Sequence, residues 1–244
     1  MEDRYNELKQ LVDGGGTIVF FGGAGVSTES HIPDFRSATG LYQMENQQAY
    51  PPERILSHSF FMEHTAQFYD FYRSKMIYRD AKPNPAHLAL ARLEQEGRLS
   101  AVVTQNIDGL HQAAGSRRVL ELHGSVQRNY CMDCKAFYSL EDVLEMSGEI
   151  PVCSKCGGTI KPDVVLYEEM LDMDVLEEAA NAIAAADILI VGGTSLTVNP
   201  AAGLVRYYPG NKLVLINQSE TPYDSRARLL IKDRIGAVLG SLFN

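Results

Sequence analysis

No stretch of this chain is apolar for the roughly 18 residues that a membrane-spanning helix needs. The longest candidate, Ile188-Leu189-Ile190-Val191, has the length of a buried strand. Positive charge is also short: 22 Lys and Arg stand against 31 Asp and Glu, a net charge of −9. That balance makes nucleic acid and anionic membrane surfaces poor default partners, although it suits a basic, lysine-containing peptide. No apolar segment follows Met1-Glu2-Asp3-Arg4, so a secretory leader is not expected. Internal repeats and low-complexity tracts are missing too. Cysteine is limited to four residues, and in the cytoplasm, the expected compartment, they must be explained without disulfides. What is present is 244 residues with 45% hydrophobic content, enough for a sizeable core in one or two domains.

The first informative stretch begins with Thr17-Ile18-Val19-Phe20-Phe21, a β-branched and aromatic run that reads as a buried strand. It leads into Gly22-Gly23-Ala24-Gly25-Val26-Ser27-Thr28. Strand, glycines and then a helix is how a nucleotide-binding α/β fold opens: glycines let the backbone approach a phosphate, and the helix start offers free N–H groups. The dinucleotide fingerprint is incomplete, because the third glycine position holds Thr28; alone, the loop could be only a tight turn. Further on, Ile32-Pro33-Asp34-Phe35-Arg36 sets an anion, a ring and a cation side by side, which suits a loop folded over a ligand better than a helix.

Along the chain, residues 2–13 have helical spacing and end at Gly14-Gly15-Gly16. Residues 37–82 are rich in Tyr, Phe and Met; Phe60, Phe61, Phe68, Phe71 and Tyr72 belong either to a greasy groove or to a plain helical layer. A helix starting at Pro83 or Pro85 carries His87, read as a packed or capping histidine. Strand 101–104 runs into Gln105-Asn106-Ile107-Asp108, and ligands of parallel sheets sit at the carboxyl ends of strands. Strand 119–122 ends at His123-Gly124; that histidine is either a base or merely an exposed strand-end residue. Extended segment 161–167, helix 172–186, strand 187–191 with Gly192-Gly193-Thr194-Ser195, and strand 212–216 with Asn217 follow; 235–239 is a last strand or a terminal helix.

Cys131-x-x-Cys134 and Cys153-x-x-Cys156 are separated by 18 residues. Paired knuckles at that distance supply the four thiolates of a tetrahedral zinc site, each sulfur about 2.3 Å from the metal. A redox pair or unrelated thiols are the weaker alternatives. With all four positions filled by Cys, the Zn2+ is expected to be structural, fixing a module too short for its own core. The resulting expectation is an α/β fold: a Rossmann-like doubly wound parallel sheet over residues 1–127 and 157–244, with a helical layer at 37–82 and an inserted zinc-binding module at 128–156.

These motifs, in this order and over nearly the whole chain, resemble the sirtuin family, the NAD-dependent protein deacylases, in a short bacterial form. The resemblance implies that Gly23, Ala24, Gly25, Thr28, Phe35 and Arg36 line the NAD site, and that Phe35, Ile107 and Asp108 form the nicotinamide pocket. Gln105 and Asn106 would hold the nicotinamide ribose, Thr194 and Ser195 the phosphate or adenosine side, Asn217 the adenine ribose, and the Ile235 amide the adenine. Val164, Val165, Leu166 and Tyr167, with the loop after Ser195, would pair with a peptide as an added strand. Cys131, Cys134, Cys153 and Cys156 would hold one zinc ion. The implied reaction is deacetylation of acetyl-lysine proteins or peptides: the acetyl oxygen attacks the ribose carbon bearing nicotinamide, neutral His123 acts as general base on the ribose hydroxyls, Asn106 assists, and nicotinamide and O-acetyl-ADP-ribose leave.

Three departures from the family pattern stand out. His31 occupies a usual glycine, at a cost on the order of 1 kcal/mol or more if φ is positive there; as a plain reading it is a surface residue at a helix end. Glu168-Glu169 replace Gly-Glu. Tyr69 matches members that remove acidic acyl groups, but their partnering Arg is here Tyr72, so uncharged acyl groups are expected. The rival functions are protein mono-ADP-ribosyl transfer and a zinc-dependent scaffold that binds NAD or acetylated tails without turnover. A dehydrogenase fits less well, because the fingerprint's acidic ribose partner is missing.

Overall fold

A computed structural model of the chain describes residues 2–34 and 50–243. Nine strands follow one another among them: β1 (Ile18–Gly22), β2 (Leu99–Thr104), β3 (Val119–Glu121), β4 (Gly124–Cys131), β5 (Phe137–Ser139), β6 (Ile160–Val164), β7 (Ile188–Gly192), β8 (Leu213–Ile216) and β9 (Leu229–Ile231). The first three and last three form one parallel sheet in the order β3-β2-β1-β7-β8-β9. The middle three form an antiparallel sheet in the order β5-β4-β6.

The large sheet is covered on both faces, which is why its strands are unbroken apolar runs. Ile18 and Phe20 of β1 pack with Ile188, Ile190, Val214 and Ile216 against helices α1 (Glu2–Asp13) and α5 (Pro85–Gln95). Their neighbours Val19 and Phe21 point the other way, with Leu189, Val191 and Leu215, toward the helix that follows β6. Every residue of β1 and β7 is buried.

Residues 50–82 fold as α2 (Pro52–Ile55), α3 (His58–Glu63) and α4 (Thr65–Lys75). Phe60, Phe61, Phe68, Phe71 and Tyr72 form a core with Tyr138, Leu140, Val143, Ile160, Val164 and Leu166. These five aromatics therefore belong to a helical layer whose partner is the small sheet, with Leu140 and Val143 coming from α7 (Leu140–Glu145), while residues 37–49 of the expected layer lie outside the described residues. The small sheet draws strands from Gly124 to Val164, on both sides of the 128–156 span.

The remaining helices are α6 (Leu110–Ala113), α8 (Met173–Ala184), the helix covering the second face of the large sheet, and α9 (Ile235–Gly240). Segment 235–239 is thus helical: Ile235, Val238, Leu239 and Leu242 are buried at helical spacing. The three-residue β9 was not foreseen. Nor does an α-helix follow the first glycine loop among the described residues. Residues 24–30 form two short 3-10 turns, because Ser27 and Thr28 turn their hydroxyls to other partners and the glycines disfavour a longer helix.

Candidate active site

The order of the large sheet reverses between β1 and β7, and an open α/β sheet has its crevice at such a point, beyond the strand carboxyl ends. A cavity of about 820 Å³ lies there. It is walled by the segments after β1, β2, β7 and β8, by residues 164–171, and by the start of α9.

Two glycine loops cross at its base. Gly25 N donates to Gly193 O at 2.8 Å, and a Cβ on Gly25 would stand 2.8 Å from Gly193 Cα. A Cβ on Gly193, which has φ +60, would stand 2.4 Å from Val26 N. Gly23 packs on Thr194 in the same way. Ala24, Gly25 and Thr28 line the cavity, whereas Gly23 does not.

Above the crossing, Ser27 is buried. Its hydroxyl donates to Asp108 Oδ2 at 2.7 Å and accepts from Asn106 Nδ2 at 3.0 Å, while Leu110 N donates to Asp108 Oδ1 at 2.9 Å. The Asn106 amide is thereby oriented with its nitrogen toward Ser27. Burial pushes the Asp108 carboxyl above its usual range, against the bonds from Leu110 and Ser27 that favour the anion. Gln105 Nε2 donates to Thr194 Oγ1 at 3.1 Å, which also accepts from Leu196 N.

His123 stands between β3 and β4, where the chain leaves the large sheet for the small one. Gly124, at φ +75, makes that passage; a Cβ there would lie 1.9 Å from Asp163 O. His123 Nδ1 lies 3.0 Å from the Gln105 carbonyl. A carbonyl only accepts, so Nδ1 carries the proton and Nε2 keeps its lone pair. Burial holds the imidazole below its usual pKa, opposed in part by the bond to Gln105. The result is a neutral imidazole on the cavity wall.

Beside it, Val164 pairs with Gly124, and Val165 N donates to His123 O. Leu166 N donates to Glu169 Oε2, and Tyr167 N to Leu56 O. Away from the cavity, the Sγ atoms of Cys131, Cys134, Cys153 and Cys156 lie within 4.8 Å of one another. Bonds of about 2.3 Å to one tetrahedral ion put sulfurs about 3.8 Å apart. The pairs Cys131–Cys156 at 3.4 Å and Cys134–Cys153 at 3.6 Å are close to that spacing.

The model of the Sir2 family matches residues 23–200. The chain belongs to the Sir2, or sirtuin, family. It is 62% identical over 237 residues to an NAD-dependent protein deacetylase of Clostridium acetobutylicum, covering 97% of each chain. It is 58% identical to one from Clostridium perfringens over the full length of both. Among solved structures, one Sir2 enzyme is 40% identical with a TM-score of 0.89, covering 99% of this chain and 97% of that one. A Sir2 protein holding a deacetylated peptide and 3′-O-acetyl ADP-ribose is 38% identical with a TM-score of 0.88, covering 97% and 96%. The parallel sheet with its small antiparallel companion is thus a Sir2 fold.

Within that Sir2 frame, Gln105, Asn106, Ile107, Asp108, His123, Val164, Val165, Leu166, Tyr167, Thr194, Ser195, Asn217 and Ile235 all line the one cavity. Phe35 and Arg36 lie outside the described residues. Ser27, which ties Asn106 to Asp108, had no assigned role; its only sequence signal was its place in the glycine loop. His31 adopts φ +63 as an exposed cap of the second 3-10 turn, a conformation histidine tolerates better than most residues. Tyr69 and Tyr72 are buried in the helical layer and do not line the cavity. His87 is both packed and capping: its Nδ1 accepts from Asn84 N at the start of α5.

Proposed function

We propose that this chain is an NAD-dependent protein lysine deacetylase, which transfers the acetyl group of acetyl-lysine to ADP-ribose and releases nicotinamide and O-acetyl-ADP-ribose. The observation that carries the reading is the tautomer of His123. Its Nδ1–H is engaged by Gln105, so a neutral Nε2 remains on the wall of the cavity that Asn106, Asp108 and Thr194 share. Nε2 takes the proton of a ribose hydroxyl as that oxygen attacks the acyl carbon. Asn106, turned by Ser27, leaves its carbonyl for the same sugar, and Gln105 holds it from the other side.

NAD is the co-substrate. Ala24, Gly25, Thr28 and Arg36 line its site with the glycine-loop amides on the pyrophosphate, and Gly23 shapes the loop. Phe35, Ile107 and Asp108 receive the nicotinamide, whose amide group donates to the Asp108 carboxylate. Thr194, Ser195, Asn217 and Ile235 take the adenosine end. The acetylated protein or peptide lies along Val164, Val165, Leu166 and Tyr167. The amides of Val165, Leu166 and Tyr167 are already engaged within the chain, as are the carbonyls of Val164, Leu166 and Tyr167, so the Val165 carbonyl is the main-chain group this segment offers to a peptide N–H. Acetyl and other uncharged acyl groups are the favoured substrates. Cys131, Cys134, Cys153 and Cys156 hold one structural zinc ion whose thiolate bonds tie the two knuckles together.

Incubation of the protein with NAD and an acetyl-lysine peptide tests this reading. Nicotinamide should appear one-for-one with deacetylated peptide. Acetyl-lysine that persists beside intact NAD overturns it, and label retained on protein from radiolabelled NAD indicates ADP-ribosyl transfer instead.

A further inference from the structure

Glu168 follows the substrate-facing segment and has φ +75. That left-handed conformation favours glycine and costs another residue about 1 kcal/mol or more. What offsets the cost is on the other side of the segment. Glu168 Oε2 accepts from Ser59 N at 2.8 Å, and Oε1 accepts from Ser59 Oγ at 3.0 Å. Ser59 lies in the first turn of α3, whose Phe60 and Phe61 are buried in the helical layer. The backbone makes the same connection one residue earlier. Tyr167 N donates to Leu56 O at 2.9 Å and His58 N donates to Tyr167 O at 2.9 Å, so Tyr167 bridges Ser57 as a parallel strand would.

We propose that Glu168 is a positioning residue for the acylated substrate. Its carboxylate pins the far end of segment 164–167 to α3 and sets the segment in its peptide-pairing shape before a peptide arrives. A glycine would adopt the same φ without strain, but it would leave the end of the segment held only by the two backbone hydrogen bonds of Tyr167. The glutamate accepts local strain in exchange for an anchor. Glu169 complements it by accepting from Leu166 N and pairing with Lys161 at 3.1 Å, so consecutive carboxylates fix the two sides of one turn. The benefit is a larger fraction of molecules whose peptide edge is competent to bind, and that fraction multiplies the apparent affinity for peptide. Glu168 and Ser59 bond to each other and not to His123 or the glycine loops, and the segment's own link, Val165 N to His123 O, holds the backbone and not the imidazole, so the NAD side should register the loss far less than the peptide side.

This inference rests on the deacetylase reading, and the experiment separates the two. Steady-state kinetics are measured on the full chain with NAD and an acetyl-lysine peptide for wild type, E168A, E168Q and E168G. Amide hydrogen exchange at Val165, Leu166 and Tyr167 is followed without peptide. E168A should raise the peptide KM roughly fivefold, with kcat and the NAD KM within about twofold of wild type. E168Q, which keeps one acceptor oxygen, should fall between the two. E168G should raise the peptide KM at least as much as E168A while melting no lower than E168A, because its backbone is unstrained. Exchange at the three amides should be faster in E168A and E168G. A peptide KM unchanged in E168A, a parallel fall of kcat and NAD affinity, or unchanged exchange overturns the proposal. If wild type leaves the peptide acetylated, the deacetylase reading fails, and the exchange result alone still decides whether Glu168 anchors the segment.

Discussion

Replacing His123 with Ala removes the Nε2 lone pair and leaves the hydrogen bonds among Ser27, Asn106 and Asp108 in place. Deacetylation is expected to fall about 10²- to 10⁴-fold, while titration calorimetry should still register NAD; equal losses of both would deny the imidazole its role as base. The pH dependence follows from the same ring. The base must be neutral, and burial lowers its pKa, so the acid limb of kcat/KM should have its midpoint below about 6.5, the ordinary histidine value. A midpoint above that value would contradict the burial argument. At this scale the sequence was legible where chemistry is concentrated in a short run: Gln105-Asn106-Ile107-Asp108 and His123 could be picked out because polar residues at strand ends have few structural reasons to be there. Ser27 could not, since its importance comes from meeting Asn106 and Asp108 some eighty positions later in the chain. The left-handed turn at Glu168 was visible only as a departure from a family glycine, and its anchor at Ser59 was not visible at all.

Among the secondary-structure elements, the crossing of the two glycine loops is the tightest feature. A methyl group on Gly25 meets the backbone of Gly193, which cannot rotate away as a side chain would. Gly25→Ala should therefore destabilise the fold by about 1–3 kcal/mol, a fall of roughly 3–10 °C in Tm. Gly203→Ala is the control: its added methyl finds nothing closer than 3.9 Å, and its Tm should be near that of wild type. If both variants melt alike, the crossing is not what the glycines are for. The glycines had suggested a backbone drawn close to a phosphate; in the fold each also makes room for the other loop. Strands were easy to read because a sheet covered on both faces demands continuous apolar runs. The 3-10 turns after Gly23 were harder, because a hydroxyl such as Ser27's that bonds across the molecule carries no periodic signal.

For the whole molecule, acid and metal removal probe different parts. His87 and His111 are buried with their rings 4.7 Å apart. Burial lowers His87 to about 4 and His111 to about 3, the latter assisted by its neighbour's charge. Both folded values lie below the unfolded value of about 6.5, so the unfolded chain binds more protons. Stability is then complete above about 6.5 and declines as pH falls toward the folded values, by about 1.4 kcal/mol per pH unit for each histidine. Urea midpoints at pH 7.5, 6 and 5 measure this, and a midpoint flat across that range rules out burial of neutral rings. Chelation acts elsewhere. Metal analysis should find one zinc per chain, and its removal should lower Tm and slow deacetylation, because Cys131 and Cys153 belong to the core that supports Leu166. Full activity and an unchanged Tm after complete stripping would show the thiolates to be incidental. The partnership of the aromatic helices with the small sheet escaped the sequence, since which of two sheets an apolar helix covers depends on topology and not on its own pattern.

One guanidinium joins the two sheets beside the base. Arg128 of β4 reaches Glu121 of β3 at 2.6 Å and Asp163 of β6 at 2.7 Å. His123 sits between the strands so tied, and its carbonyl is held by Val165. It therefore stands where the chain passes from one sheet to the other, and the backbone that carries the imidazole is braced from both sides.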